Sequence, residues 1–254
     1  MLLPRVIPCL LLRDAGLVKT VRFKDAKYVG DPINAIKIFN DKRVDELIVL
    51  DITASRARRE PNYALIEEIA SECFMPLCYG GAVTSVAQAK RIVNLGVEKV
   101  AINNAALARP ELIGELASQL GAQSVVACLD VKKSWTGAYR VYDSAKQKMT
   151  DKDPFEHAAL LVRMGAGEVL LNSVDRDGTQ QGYDHDLVRR FTAKLRVPLI
   201  ACGGAWTKDD LRTVVKDSGA SAAAAGSMFV FEGPHRAVLI SYPPYPELVR
   251  LMGL

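Results

Sequence analysis

Residues 79–84 read Tyr-Gly-Gly-Ala-Val-Thr and residues 202–207 read Cys-Gly-Gly-Ala-Trp-Thr, two copies of one turn at a shift of 123 positions. The same shift carries Ala101-Ile102-Asn103-Asn104 onto Ala224-Ala225-Gly226-Ser227. Glu46-Leu47-Ile48-Val49 meets Glu168-Val169-Leu170-Leu171 at a shift of 122, and Ile7-Pro8-Cys9-Leu10-Leu11 meets Val126-Ala127-Cys128-Leu129-Asp130 at a shift of 119. Self-similarity over about half the chain means that one set of structural units is used twice.

Working outward from these matches, short β-rich runs alternate with helical-period segments, the pattern of βα units on a parallel sheet. Strands are predicted at Val6–Leu11, Leu47–Asp51, Pro76–Tyr79, Val100–Asn103, Ser124–Asp130, Val169–Val174, Val197–Cys202 and Ala222–Gly226. Helices are predicted at Pro32–Asn40, Tyr63–Glu72, Ser85–Leu95, Pro110–Leu120, Pro154–Met164, Asp184–Lys194 and Lys208–Ser218. Pro110 and Pro154 fit first-turn positions, while Gly96, Gly121, Gly165 and Gly219 fit helix ends. Eight strands in 254 residues predict a (β/α)₈ TIM barrel, one domain made of half-barrels at about 1–120 and 121–254. Two connections, 12–31 and 131–153, are long enough to serve as lids.

The chain is 49% hydrophobic, enough for a large core, and its net charge of +4 is spread along its length. That charge suits anionic small molecules and, with no basic stripe among aromatics, excludes nucleic acid as a partner. The opening stretch MLLPRVIPCLLL is interrupted by Pro4 and Arg5 and lacks a cleavage signature, so no membrane segment and a cytoplasmic location are expected. Five cysteines without CxxC spacing read as free thiols, with Cys9, Cys128 and Cys202 on strands as core packing. His157, His185 and His235 have no metal spacing. No metal and no cofactor are expected.

A Gly-Gly turn after a strand lets backbone N–H groups approach an anion, and a following Thr can cap the next helix, whose positive end favours negative charge. Thr84 and Thr207 occupy that place, and Thr207 is followed by Asp210 in an approximate capping box. A single such turn reads equally as a tight βα connection. Two at matched positions predict two phosphate pockets, built from Gly81, Ala82, Asn103 and Asn104 in one half and Gly203, Gly204, Gly226 and Ser227 in the other. Asp51 and Asp177 stand at strand ends, where polar groups face ligand or hold a loop.

These residues, with Leu50-Asp51-Ile52-Thr53-Ala54-Ser55 and Ser173-Val174-Asp175-Arg176-Asp177-Gly178-Thr179, closely resemble the cyclase subunit of imidazole glycerol phosphate synthase. The resemblance covers nearly the whole chain and weakens after Pro234. It implies a heterodimer with a class I glutaminase, whose ammonia enters at the bottom of the barrel and reacts at the top with a ligand phosphorylated at both ends. It also implies ligand neighbours at Gly81, Asn103, Asp177, Gly178, Gly204 and Ser227, and a clamping role for Lys19. Arg5, Glu46, Lys99 and Glu168 resemble an ammonia gate; a salt-bridged plug is the plainer reading.

The resemblance also implies two catalytic aspartates, at the ends of strands one and five. Asp130 matches the second, whereas Leu11 stands where the first is expected, and a Leu side chain moves no proton. The conventional reading is the histidine-pathway cyclase and lyase that makes imidazole glycerol phosphate. Leu11 favours instead a paralogue that keeps the glutaminase and sends ammonia to another acceptor, as in amidation of sugars for surface polysaccharide (O-antigen). Acetamidino formation requires ATP, and no Gly-x-x-x-x-Gly-Lys-[Ser/Thr] loop is present, so a third, ATP-using protein is expected. A non-enzymatic conduit and a sugar-phosphate isomerase are weaker readings. The second long connection carries Lys132, Lys133, Trp135, Tyr139 and Tyr142, compatible with a cover over an anion or a solvated hairpin. Residues 241–246, Ser-Tyr-Pro-Pro-Tyr-Pro, read as a packed tail or a docking element.

Overall fold

The computed structural model describes residues 4–233 and 235–253. Eight parallel strands form the barrel: β1 Arg5–Arg13, β2 Leu47–Asp51, β3 Leu77–Gly80, β4 Lys99–Ile102, β5 Val125–Lys133, β6 Glu168–Ser173, β7 Leu199–Cys202 and β8 Ala222–Ala225. Each pairs with the next, β8 pairs with β1, and the sheet is closed. The outer helices are α1 Pro32–Asp41, α2 Tyr63–Glu72, α3 Val86–Asn94, α4 Glu111–Leu120, α5 Pro154–Met164, α6 His185–Thr192, α7 Lys208–Lys216 and α8 Tyr245–Met252.

Local chemistry sets where these helices begin. The side chains of Asp31, Asn62, Ser85, Asp153, Asp184 and Thr207 each accept a hydrogen bond from a backbone N–H of the following first turn. Thr207 and Asp210 complete the expected capping box. The other copy differs: Ser85, not Thr84, caps α3, and Thr84 bonds the Gln88 side chain instead. Pro154 opens α5, but Pro110 stands one residue before α4. Pro76 and Pro198 precede β3 and β7 rather than joining them. Each offers its carbonyl to a neighbouring strand, at Leu47 and Val169, but has no N–H for the ladder.

Residues 12–31 and 131–153 are hairpins, not irregular loops. β1 continues to Arg13 and turns into Gly16–Val21, which pairs antiparallel with β1 and with Lys24–Gly30. β5 continues to Lys133 and pairs with Tyr139–Asp143, which pairs in turn with Lys148–Met149. These ribbons rise above the barrel rim and turn polar side chains such as Lys19 and Thr20 inward, which hides the alternation that marks an ordinary strand.

Closure divides the apolar side chains into two sets. One faces the helices and includes Phe39, Leu47, Val169, Phe191 and Leu211. The other fills the lumen with small or slender groups, among them Ile7, Cys78, Ala101, Val126, Ile200 and Ala224. Cys9 and Cys128 belong to this lumen set, Cys202 packs against it, and all five thiols are free. Residues 241–246 pack as a tail: the buried Tyr242 hydroxyl donates to the Val6 carbonyl at 2.8 Å. Among the described residues, no helix is long and apolar enough to cross a membrane.

Phe191 is fully buried, with its ring centroid 4.8 Å from that of Phe155 between α6 and α5. Phe191→Ala should lower the unfolding free energy by about 3–5 kcal/mol, measured by denaturant melts.

Candidate active site

A cavity of about 600 Å³ opens at the C-terminal ends of the strands, and the ligand-facing candidates read from the sequence all line it. One wall is the turn after β3, Gly81 and Ala82, beside Asn103 and Asn104 at the end of β4 and Asp51 at the end of β2. The opposite wall joins Gly203 and Gly204 after β7, Gly226 and Ser227 after β8, and Asp177 and Gly178 after β6. Two glycines are dictated by crowding as well as by conformation. Gly81 has φ 145°, and a Cβ there would lie 2.7 Å from that of Asp51. Gly204 has φ 109° and lies against the Gly182 carbonyl.

Asp130 is buried at the end of β5, where the Asn103 amide donates to its carboxylate at 2.7 Å. Burial raises its pKa to about 6, and hydrogen bonds from Asn103, Ser144 and Asn172 only partly oppose that rise. Leu11 also lines the cavity, pairing in register with Leu50 and Val18, so position 11 brings hydrocarbon where a second acid would stand. Asp130 is therefore a buried carboxyl whose titration is moved toward neutrality, and position 11 of the same cavity holds no carboxylate.

The first hairpin crosses the mouth as a strap. Lys19 is fully enclosed, donates to the Cys9 carbonyl at 2.5 Å, and has its pKa lowered by burial. Thr20 donates its hydroxyl to the Asp177 carboxylate at 3.0 Å, and the Arg22 amide donates to the Asp177 carbonyl at 2.9 Å. Asp177, its pKa raised by burial, thus both lines the cavity and ties down the strap. Asp51 is also divided: one carboxylate oxygen accepts from the Thr53 amide and hydroxyl and the Ala54 amide, each at 2.9 Å. The strap touches the second hairpin where the Phe23 and Tyr142 rings meet edge to face.

At the other end of the lumen, Arg5, Glu46, Lys99 and Glu168 form a closed ring of alternating charge. Arg5 bonds both carboxylates, and Lys99 reaches each of them at 2.9 Å. Burial works against the Arg5 and Lys99 charges, yet their bonds to Glu168 and Glu46 more than offset it, raising both pKa values. Between ring and cavity lies the apolar lumen.

Several lining residues escaped the sequence reading. Asn172 faces inward at the end of β6, level with Asp130, and its buried Oδ1 has no hydrogen-bond partner. The period-2 series Glu168, Leu170, Asn172 carried that signal. Thr20, Ser144 and the arginines after β2 were hidden in connections. Conversely, of the five second-hairpin residues only Tyr142 lines the cavity. Trp135 is 96% exposed at the hairpin tip, and Tyr139 is buried with its hydroxyl on Asp184. Among the described residues, no cluster of three His, Cys, Asp or Glu is placed to hold a metal.

The family model described as "Histidine biosynthesis protein" matches residues 5–235. The chain belongs to this family. It is 54% identical over 244 residues, 96% of this chain and 97% of the other, to a Pseudomonas aeruginosa protein provisionally named imidazole glycerol phosphate synthase subunit hisF2. A Vibrio vulnificus protein provisionally named subunit hisF3 is 50% identical, over all of this chain and 98% of its own. An Alkaliphilus metalliredigens protein named imidazole glycerol phosphate synthase subunit HisF is 38% identical over 229 residues, 90% of this chain and 91% of the other. The chain is a cyclase-subunit-like member of its family.

The Asp130 environment has a measurable cost. A carboxyl whose pKa rises on folding adds stability only while it is protonated, and that contribution is lost as pH climbs from about 4 to about 6. Asp130→Asn should therefore raise the melting temperature at pH 7 and leave it nearly unchanged at pH 4, by calorimetry at both pH values.

Proposed function

We propose that this barrel receives ammonia from a class I glutaminase subunit and delivers it to a phosphorylated acceptor other than the histidine-pathway precursor. The acceptor on this reading is a sugar undergoing amidation for surface polysaccharide such as O-antigen, with a third, ATP-using protein activating the amide oxygen. The observation that carries the proposal is Leu11: the lumen, the charge ring and both Gly-Gly walls are kept, while one of the two acid/base positions holds hydrocarbon. The copy numbers in the names of the relatives hisF2 and hisF3 also support a branch beside the pathway enzyme.

Each element has a role on this reading. The ring admits ammonia from the glutaminase at the barrel's bottom, and the apolar lumen carries it as the neutral base. The two walls, one from each half-barrel, hold anionic groups of the acceptor through backbone N–H groups and the Asn103, Asn104 and Ser227 side chains. Lys19 supplies positive charge at the centre. Asp130, with a pKa of about 6, takes up or returns a proton at the nitrogen. Retained Asp130 and Lys19 favour a second reading, the conventional cyclase and lyase of histidine biosynthesis.

An ammonia-driven cyclase assay with the histidine-pathway precursor separates the two. On the proposal the wild-type chain is at background, and robust turnover would overturn it. Leu11→Asp should raise that rate by about 10²-fold or more if the missing acid/base is the only barrier, and leave it at background if the cavity serves another ligand. Glu46→Gln should uncouple glutamine hydrolysis from ammonia transfer in the two-subunit complex, seen as glutamate formed without aminated product.

A further inference from the structure

Beyond the Gly81 turn the cavity continues beneath a basic rim with no role so far. Residues 52–62 join β2 to α2, and hydrogen bonds cross-link their first turn. Asp51 holds Thr53 and Ala54 as described, the Arg59 amide returns to the Ala54 carbonyl at 3.0 Å, and Arg58 is fixed at φ 52°. The Ser55 hydroxyl accepts from the Ala82 amide at 3.1 Å, which joins this turn to the Gly81 wall.

The turn carries three arginines that all line the cavity: Arg56, Arg58 and Arg59. Arg59 is engaged by Asp14 and Thr53, and the adjacent Glu60 accepts from Gln88. Among the described residues, Arg56 and Arg58 have no carboxylate within ion-pair distance and are exposed at the mouth. Arg56 and Tyr142 of the second hairpin line the same cavity, and the Arg56 charge opposes the rise that burial and Asp130 impose on the Tyr142 phenol pKa.

Two guanidiniums without a carboxylate partner, on a turn hydrogen-bonded to the Gly81 wall, add cationic donors to the pocket read there. On the anion-pocket reading the Gly81 wall, with Asn103 and Asn104, takes one phosphoryl group, and forked guanidinium donors next to it suit a second, linked anion. We propose that Arg56 and Arg58 extend the Gly81 wall into a pyrophosphate site, so that the ligand there carries two linked phosphoryl groups, as a nucleoside diphosphate does. The inference rests on the reading of the Gly81 wall as an anion pocket and needs no assumption about where ammonia goes.

Calorimetric titration of the full chain with inorganic phosphate, pyrophosphate, UMP and UDP tests it. UDP should bind about 10-fold or more tighter than UMP, and Arg56→Ala/Arg58→Ala should remove that preference. The same double variant should leave affinity for inorganic phosphate within about threefold of wild type, which also reports that the wall is still folded. Equal affinity for UMP and UDP in the wild type, or a double variant that still prefers UDP, overturns the pyrophosphate site while leaving the phosphate wall intact. Failure of all four probes to bind overturns both. Loss of phosphate binding in the double variant also overturns the proposal, because the arginines would then belong to the monophosphate pocket.

Discussion

The pairing of β5 with β6 closes the sheet, and every other assignment in the molecule depends on it. In an open sheet, alternate residues of a strand would face one layer of helices or another. In a closed one they face either the helices or a lumen. Closure makes Arg5, Ile7, Cys9 and Leu11 a single file from the bottom of the barrel to its mouth, with charge at one end and hydrocarbon at the other. It also gathers the ends of eight strands around one cavity, so residues far apart in sequence, such as Asn103 and Asp130, come within hydrogen-bond distance.

Within that frame the two ends of the lumen solve opposite electrostatic problems. At the bottom, two cations and two carboxylates compensate one another, and each buried carboxylate meets both cations. Such an arrangement tolerates burial because no charge is left unpaired. At the mouth, compensation is incomplete: Asp130 is buried with amide and hydroxyl partners, and Lys19 is buried with a carbonyl partner. Groups left in that condition have displaced pKa values, a common property of sites that move protons or hold charged ligands.

The barrel and most of its strands were legible in the sequence because the two Gly-Gly turns fix the phase of the repeat and buried parallel strands leave compact apolar runs. The lining residues on strand ends were legible for the same reason. The first hairpin was not, since Lys19 and Thr20 are buried by the cavity they face and carry no apolar alternation, whereas a hairpin was one of two readings of the second connection. Thr84 missed its cap because Ser85, one residue on, has the extended backbone that a cap requires. Asn172 was available to parity and was overlooked, whereas the cavity-lining arginines were hidden, since nothing local says that the chain after β2 folds back on Asp51.

The hairpins have a mechanical consequence. Both are uninterrupted continuations of barrel strands, and these are β1 and β5, the strands that carry Leu11 and Asp130. Position 11 lies two residues, and position 130 three residues, from the end of its strand. Each strap and the cavity-lining residue below it thus share one unbroken strand. Thr20 and Arg22 anchor the first strap to Asp177, and the Asn103 amide holds Asp130 at the corresponding point on the far side. The cover of this cavity and the residues at its centre are one piece of backbone.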